Sequence, residues 1–251
     1  MLFDTHAHLT DEAFEEDIAD VIVSLKNMKV LNCGCDLQSS IKSVKLADEN
    51  ENFYAAVGVH PHDAKDYTKD IEKHLRMLTE NSKVLAIGEI GLDYYYNYSD
   101  PITQKEVFIQ QIRLANDLNL PIIIHSRDAV QDTYDIIKKN KNIIQSAVLH
   151  SFNQSKEMIK LYLDINMYFS ISGPVTFKNA DSLRSVIEYI PDDRLLIETD
   201  SPYLTPVPYR GKRNTPLNVE FVARKIAEIK NITYEEVCEL TLQNAIKFFK
   251  L

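Results

Sequence analysis

The chain has 251 residues, with 28 Lys and Arg against 37 Asp and Glu, a formal charge of −9, and 45% hydrophobic residues. That is an ordinary globular composition, and its acidic balance argues against a general nucleic-acid coat without excluding a local basic site for phosphate. The longest apolar runs, such as Ile122-Ile123-Ile124 and 84–87, fall far short of the ~20 residues a bilayer crossing needs. The start, Met1-Leu2-Phe3-Asp4, carries no basic flank or cleavage site, so a cytoplasmic protein without a membrane span is expected. Three cysteines, an odd number, point to reduced thiols rather than a disulfide framework. A length near 250 suits two small domains or one (β/α)8 barrel. Six glycines and nine prolines are scattered, no linker interrupts the chain, and one domain over 1–251 is expected.

Short apolar runs at 2–4, 30–33, 54–59, 84–90, 122–125, 147–150, 167–171 and 195–198 are the strand candidates. The segments between them include 102–119, 129–139, 154–164 and 179–190, whose apolar residues recur every three or four positions and predict helices. Two more helices are expected after the last strand, at about 216–229 and 233–249, the second opened by a capping box of Thr233 and Glu236. Near-continuous apolar strands alternating with helices predict a parallel sheet covered on its outer face, and eight units predict closure into a barrel. A doubly wound sheet is the alternative, but it would normally carry a Gly-rich phosphate loop after an early strand, and this chain has none.

The polar residues at the strand ends carry the chemistry, because in a barrel those ends converge on one mouth. His6 and His8 are two apart, so on a strand they project from the same side and can grip one ion. His60-Pro61-His62 follows the third run, Glu89 ends the fourth, His125 the fifth, His150 the sixth, and Glu198-Thr199-Asp200 the eighth. Any one histidine here reads first as a hydrogen-bonded structural residue. Six of seven at strand ends reverse that reading, and only His74, inside a helix, is left as a surface residue. Two divalent cations within about 4 Å of each other also need carboxylates. Glu89, flanked by Gly88 and Ile90-Gly91, suits a bridging role, and Asp200 can hold a metal and accept a proton from bound water. Glu198 reads as a buried acid hydrogen-bonded to the barrel floor, with support of a metal ligand as the alternative. Asp4, on the same side as His6 and His8, is expected to be buried in the same way or to orient an imidazole.

These residues resemble the TatD family of metal-dependent deoxyribonucleases, within the amidohydrolase-like metal barrels, along essentially the whole chain. The matching segments are Phe3-Asp4-Thr5-His6-Ala7-His8-Leu9, Val57-Gly58-Val59-His60-Pro61-His62, Ile87-Gly88-Glu89-Ile90-Gly91-Leu92-Asp93-Tyr94, Pro121-Ile122-Ile123-Ile124-His125-Ser126-Arg127 and Glu198-Thr199-Asp200-Ser201-Pro202-Tyr203-Leu204. The resemblance implies a (β/α)8 barrel with two ions, His6, His8, Glu89 and Asp200 on one and Glu89, His125 and His150 on the other. It also implies that His60 and His62 stand near the scissile phosphate. One segment departs from the family: after the sixth-strand histidine it usually reads Cys-Phe-Ser-Gly-Ser, and here Ser151-Phe152-Asn153-Gln154-Ser155 lacks the glycine, which bears on substrate choice.

On the substrate side, Tyr209-Arg210-Gly211-Lys212-Arg213-Asn214 follows the eighth strand, where barrel enzymes often bind phosphate. Arg210, Lys212 and Arg213, with Arg127 two residues past His125, are expected to contact substrate. Tyr94-Tyr95-Tyr96 and Tyr98 either stack on bases or pack their loop against a helix. Cys33, Cys35 and Cys238 read as packing residues. The expected chemistry is phosphodiester hydrolysis: one ion acidifies a bridging water, the other polarises the phosphoryl oxygen, and Asp200 takes the proton. Mixed imidazole and carboxylate ligands leave Mg2+, Mn2+ and Zn2+ open. The resemblance implies a DNA substrate, single-stranded or frayed and attacked from the 3′ side. Some relatives are credited with releasing D-amino acids from tRNA, so deacylation of tRNA or hydrolysis of another ester or amide is the rival, and a non-catalytic nucleic-acid binder stands behind both. A monomer is expected.

Overall fold

A computed structural model describes residues 1–96 and 98–251. Strands β1 (Phe3–Ala7), β2 (Lys29–Cys33), β3 (Phe53–Val57), β4 (Val84–Asp93), β5 (Ile122–Arg127), β6 (Ala147–Leu149), β7 (Tyr168–Ile171) and β8 (Leu195–Ile197) alternate with helices. These are α1 (Ile18–Ser24), α2 (Leu37–Asp48), α3 (Lys69–Leu78), α4 (Pro101–Leu118), α5 (Val130–Asn140), α6 (Lys156–Leu163) and α7 (Asp181–Ile187), with α8 (Val219–Lys230) and α9 (Tyr234–Phe249) after β8. The strands form one sheet in the order β1 to β8. Pairs β1–β2, β3–β4, β4–β5, β5–β6 and β7–β8 are parallel, and Ala7 also bridges in parallel to Ser201, just past β8. This is the (β/α)8 fold expected from the alternation. Among the described residues no helix is long and apolar enough to cross a membrane, and none of the three cysteines is in a disulfide.

The chain divides into two compact units. The first comprises Met1–Asn32, His150–Asp164 and Tyr168–Leu251. Its β1 is buried along its whole length, and Phe3 meets Phe249 of α9 with ring centroids 5.8 Å apart. Helix α9 starts at the expected capping box: the Glu236 amide donates to Thr233 Oγ1, and the Thr233 amide donates to the Glu236 carboxylate. Asn244, on the buried face of α9, donates to the carbonyls of Asp192 and Leu195 and so ties the helix to the start of β8. The helix expected from 216 opens as a 3-10 turn, Pro216–Asn218, before α8; Pro216 suits that first position because its missing amide would have no partner there.

The second unit comprises Cys33–Leu149 and Ile165–Met167. Its longest strand, β4, is ten residues, all buried, and runs three residues past the end predicted from the apolar run. Gly91 makes the extension possible. It pairs with His125 at φ +143°, and an added Cβ would lie 2.0 Å from the His125 carbonyl oxygen. Asp100 caps α4 by accepting the Ile102 and Thr103 amides, and Asn119 ends it at φ 55°. Gln104 and Gln111 are seven residues apart, two helical turns, so both face the sheet, each only 1% exposed. Gln104 accepts the Asp93 amide at 2.8 Å and donates to the Asp93 and Ser99 carbonyls; Gln111 accepts the Val59 amide and donates to the Val59 carbonyl, both at 2.8 Å. One helix thereby holds the end of β4 and the backbone just before His60.

Truncating Gln104 strands three buried backbone groups. Gln104→Ala is expected to lower unfolding stability by about 2–3 kcal/mol in urea titrations. A loss below about 0.5 kcal/mol, the usual range for a surface change, would mean that the amide holds nothing.

Candidate metal centre

In the first unit, alternation along β1 sends His6 and then His8 toward the same side, as the spacing predicts. Their Nε2 atoms lie 3.0 Å apart, and Asp200 Oδ1 stands 3.3 Å from His8 Nε2 and 3.7 Å from His6 Nε2. Asp200 reaches them because the chain turns through φ 57° just after β8, a conformation aspartate tolerates. Adjacent donors on an ion with bonds of ~2.1 Å sit about 3.0–3.4 Å apart, so two of the three spacings suit a shared divalent cation and the third, His6 to Asp200, is slightly long. His150 stacks on His6 with ring centroids 4.2 Å apart. Burial pushes the Asp200 carboxyl up, but the His8 hydrogen bond and the charges of His150, His6 and His8 outweigh it and hold it below the ordinary carboxylate range.

Two buried acids hold this arrangement. Glu198 does not face the barrel floor: its Oε1 accepts the Ser151 amide at 2.7 Å and faces His150 Nδ1 at 3.3 Å. A proton on Nδ1 leaves Nε2 as the atom His150 offers to an ion, the carboxylate–imidazole pattern common around metals. Asp4 does not orient an imidazole. It accepts the Thr199 amide at 2.8 Å, the Thr199 hydroxyl at 2.5 Å and the His6 amide at 3.3 Å, and so fixes the backbone on either side of Asp200 and His6. Asn214, fully buried, donates to the Thr199 and Tyr203 carbonyls and holds the same turn from outside.

In the second unit, Glu89 Oε1 lies 2.8 Å from His125 Nδ1 and 3.8 Å from His60 Nε2. The other His125 nitrogen, Nε2, is 2.9 Å from Asp93 Oδ2. With the proton on Nε2, His125 presents Nδ1 beside Glu89, and these two atoms suit one ion. Sequence reasoning gave Asp93 no role. The available signal was its even spacing from Glu89 along β4, hidden because the strand was expected to end at residue 90. Burial pushes the Asp93 carboxyl up, and the His125 hydrogen bond, the Tyr96 amide and the charges of His125 and His62 more than reverse this, so it stays ionised below the ordinary range. His60 is different. Its Nδ1 accepts the His62 amide at 3.2 Å, which puts the ring proton on Nε2, and burial holds its pKa well below the usual histidine value. Neutral His60 thus presents an N–H donor rather than a ligand lone pair. His62 Nε2 approaches Asp93 Oδ2 to 3.1 Å without hydrogen-bond alignment. His74 lies on the exposed side of α3 against Asp70, as expected.

The four cations expected on the substrate side part company. Arg127 lies over Tyr95 at 3.9 Å, Arg210 over Phe177 at 4.3 Å, and Lys212 near Tyr209 at 5.9 Å; among the described residues none of the three pairs with a carboxylate. Arg213 instead grips both oxygens of Asp17 at 2.7 and 2.6 Å, donates to the Ala13 carbonyl and covers Phe14 at 4.6 Å. That geometry anchors the loop and leaves its guanidinium committed. At the departing segment, Ser151, which stands where the family has cysteine, takes φ 44°, and its hydroxyl meets that of Ser172 at 2.8 Å.

A sequence model described as TatD related DNase matches residues 3–250. A Bacillus subtilis (strain 168) protein named uncharacterized metal-dependent hydrolase YabD is 45% identical over the whole of both chains. The similarly named YcfH of Escherichia coli (strain K12) is 40% identical over 100% of this chain and 96% of its own. Among solved structures, YjjV, a TatD homolog from Escherichia coli K12, superposes with a TM-score of 0.92 at 25% identity, covering 100% of this chain and 98% of that one. A TatD family hydrolase from Entamoeba histolytica gives 0.86 at 25% identity, covering 99% and 97%.

If Asp93 sets the His125 ring, Asp93→Asn should weaken divalent-metal binding about 10–100-fold by calorimetric titration; unchanged affinity would assign the carboxylate to the backbone alone. The Asp17–Arg213 pair sets a pH dependence. The Arg213 bond lowers the Asp17 pKa in the folded chain, so its stabilisation is present above the unfolded value near ~4 and is lost as pH falls through the lower folded value. Arg213→Met should therefore melt below the wild type at neutral pH, with the gap narrowing as the pH falls below the unfolded value; a gap of the same size in acid would contradict the pairing.

Proposed function

The chain belongs to the TatD related DNase family and is a metal-dependent hydrolase, and on that premise we propose that it cleaves phosphodiester bonds of single-stranded or frayed DNA from the 3′ end. The observation that carries this reading is Arg127. It stands two residues beyond His125 on β5, on the same side of the strand, with a guanidinium that pairs with no carboxylate among the described residues of a chain whose net charge is −9. An uncompensated arginine beside the ligand set suits a phosphate better than a neutral ester or amide.

His6, His8 and Asp200, with His150 stacked on His6, would hold one divalent ion, and Glu89 with His125 a second. Bound there, such ions supply Lewis-acid charge for the phosphoryl group and acidify a water. Asp200, ionised, would accept the proton that the attacking water loses and return it to the nucleotide oxygen freed when the P–O bond breaks. His60, neutral, donates its Nε2–H toward the phosphate. Arg127, Arg210 and Lys212 balance the charge that develops on the phosphoryl oxygens. Three cysteines with no disulfide among the described residues support work in a reducing cytoplasm.

Metal-stripped protein reloaded with Mg2+, Mn2+ or Zn2+ and offered end-labelled single-stranded DNA beside D-aminoacyl-tRNA is expected to shorten the DNA only with metal. Asp200→Asn should slow that reaction by about 10²–10⁴-fold, and Glu89→Gln should abolish it. Deacylation of the tRNA with the DNA left intact would replace the proposed substrate.

A further inference from the structure

The turn after β4 leaves three aromatic rings in solvent: Tyr95, Tyr96 and Tyr98 are 55%, 38% and 58% exposed. Tyr94 is the packed member, its hydroxyl donating to Asp132 Oδ2 at 2.8 Å. Tyr96 and Tyr98 lie within 9° of parallel with centroids 5.5 Å apart, and Tyr95 meets Tyr96 edge-on at 4.7 Å. Arg127 covers Tyr95 at 3.9 Å and reaches Tyr96 at 5.0 Å. The group is built rather than loose. Asp93 Oδ1 accepts the amides of Tyr95 and Tyr96, both at 3.0 Å, while its Oδ2 faces His125. On the far side, the Ser99 hydroxyl donates to the His62 carbonyl at 2.8 Å, and Gln104 donates to the Ser99 carbonyl. One carboxylate thus fixes both the tyrosine turn and a ligand of the candidate metal centre. His62 closes the path between them: its ring contacts Tyr96 at 5.3 Å, Tyr98 at 4.9 Å and His125 at 6.5 Å.

We propose that Tyr95, Tyr96, Tyr98 and Arg127 form a stacking platform for the nucleobase next to the cleaved bond, with single-stranded nucleic acid as its occupant. The proposal rests on the nuclease reading above and adds what positions the strand. Exposed parallel rings offer faces on which any base can stack, and the guanidinium beside them, paired with no carboxylate among the described residues, suits the phosphate that every nucleotide brings. A base inside a duplex has both faces covered, so the platform selects single strands and frayed ends without reading sequence. Of the four tyrosines, Tyr94 packs the loop against α5 through Asp132, and the exposed Tyr95, Tyr96 and Tyr98 are left to stack.

The test compares binding of two fluorescein-labelled tetramers with phosphorothioate linkages to the metal-loaded full chain, by anisotropy: one of thymidine, one abasic with the same backbone charge. Thymidine is expected to bind about tenfold more tightly. The double variant Tyr96→Ala, Tyr98→Ala should bind both tetramers with the abasic affinity, and Tyr96→Phe, Tyr98→Phe should restore the preference. Equal binding of the two tetramers by the wild type, or a preference that survives the alanine pair, overturns the platform. The nuclease reading is judged separately with normally linked tetramers. If the abasic one is cleaved while no base preference exists, the platform falls and the nuclease stands; if neither tetramer is cleaved, the nuclease reading fails and the platform with it.

Discussion

Two imidazole nitrogens 3.0 Å apart, with a carboxylate oxygen 3.3 Å from one of them, are a costly thing to keep at the buried end of a strand. His8 Nε2 has one proton at most to share between His6 Nε2 at 3.0 Å and Asp200 Oδ1 at 3.3 Å, so the three atoms compete for it. A divalent cation takes a lone pair from each and removes the competition, and the 3.0 and 3.3 Å spacings match the edge length of its coordination shell. Much else in the first unit follows from holding that spacing: Asp4 grips Thr199 and the His6 backbone, Glu198 holds His150 and the start of the next loop, and Asn214 braces the turn that carries Asp200.

The second unit solves the same problem differently. His125 stands between two carboxylates, one on each ring nitrogen, and both come from β4. That requires a long strand lying close to β5, which Gly91 permits and Gln104 secures at its end. Asp93 is the joint. It serves His125 with one oxygen and the tyrosine turn with the other, so the geometry of a ligand and that of the exposed rings are set by one side chain.

The eight strands were legible because parallel strands buried on both faces leave continuous apolar runs, and the nearness of His6 to His8 because a period of two fixes which strand residues share a side. His6 with His8, the capping box at Thr233 and the surface position of His74 needed no more than local spacing. What stayed hidden depends on distant partners. Glu198 was read as a floor residue because nothing local links it to His150, 48 positions away. Arg213 looked free until its fold partner Asp17, 196 positions earlier, came beside it. Asp93 was lost for a smaller reason: Gly91 reads as a strand end in sequence, whereas in the sheet it lets β4 continue.

The central claim is that the two sets of strand-end ligands each hold an ion. Metal stoichiometry of the purified chain tests it most directly, by elemental analysis after equilibration with Mn2+ or Zn2+ and removal of free metal. Two ions per chain are predicted, falling to one in His8→Asn and to one in His125→Asn. A single ion in the wild type, lost completely in both variants, would contradict the account.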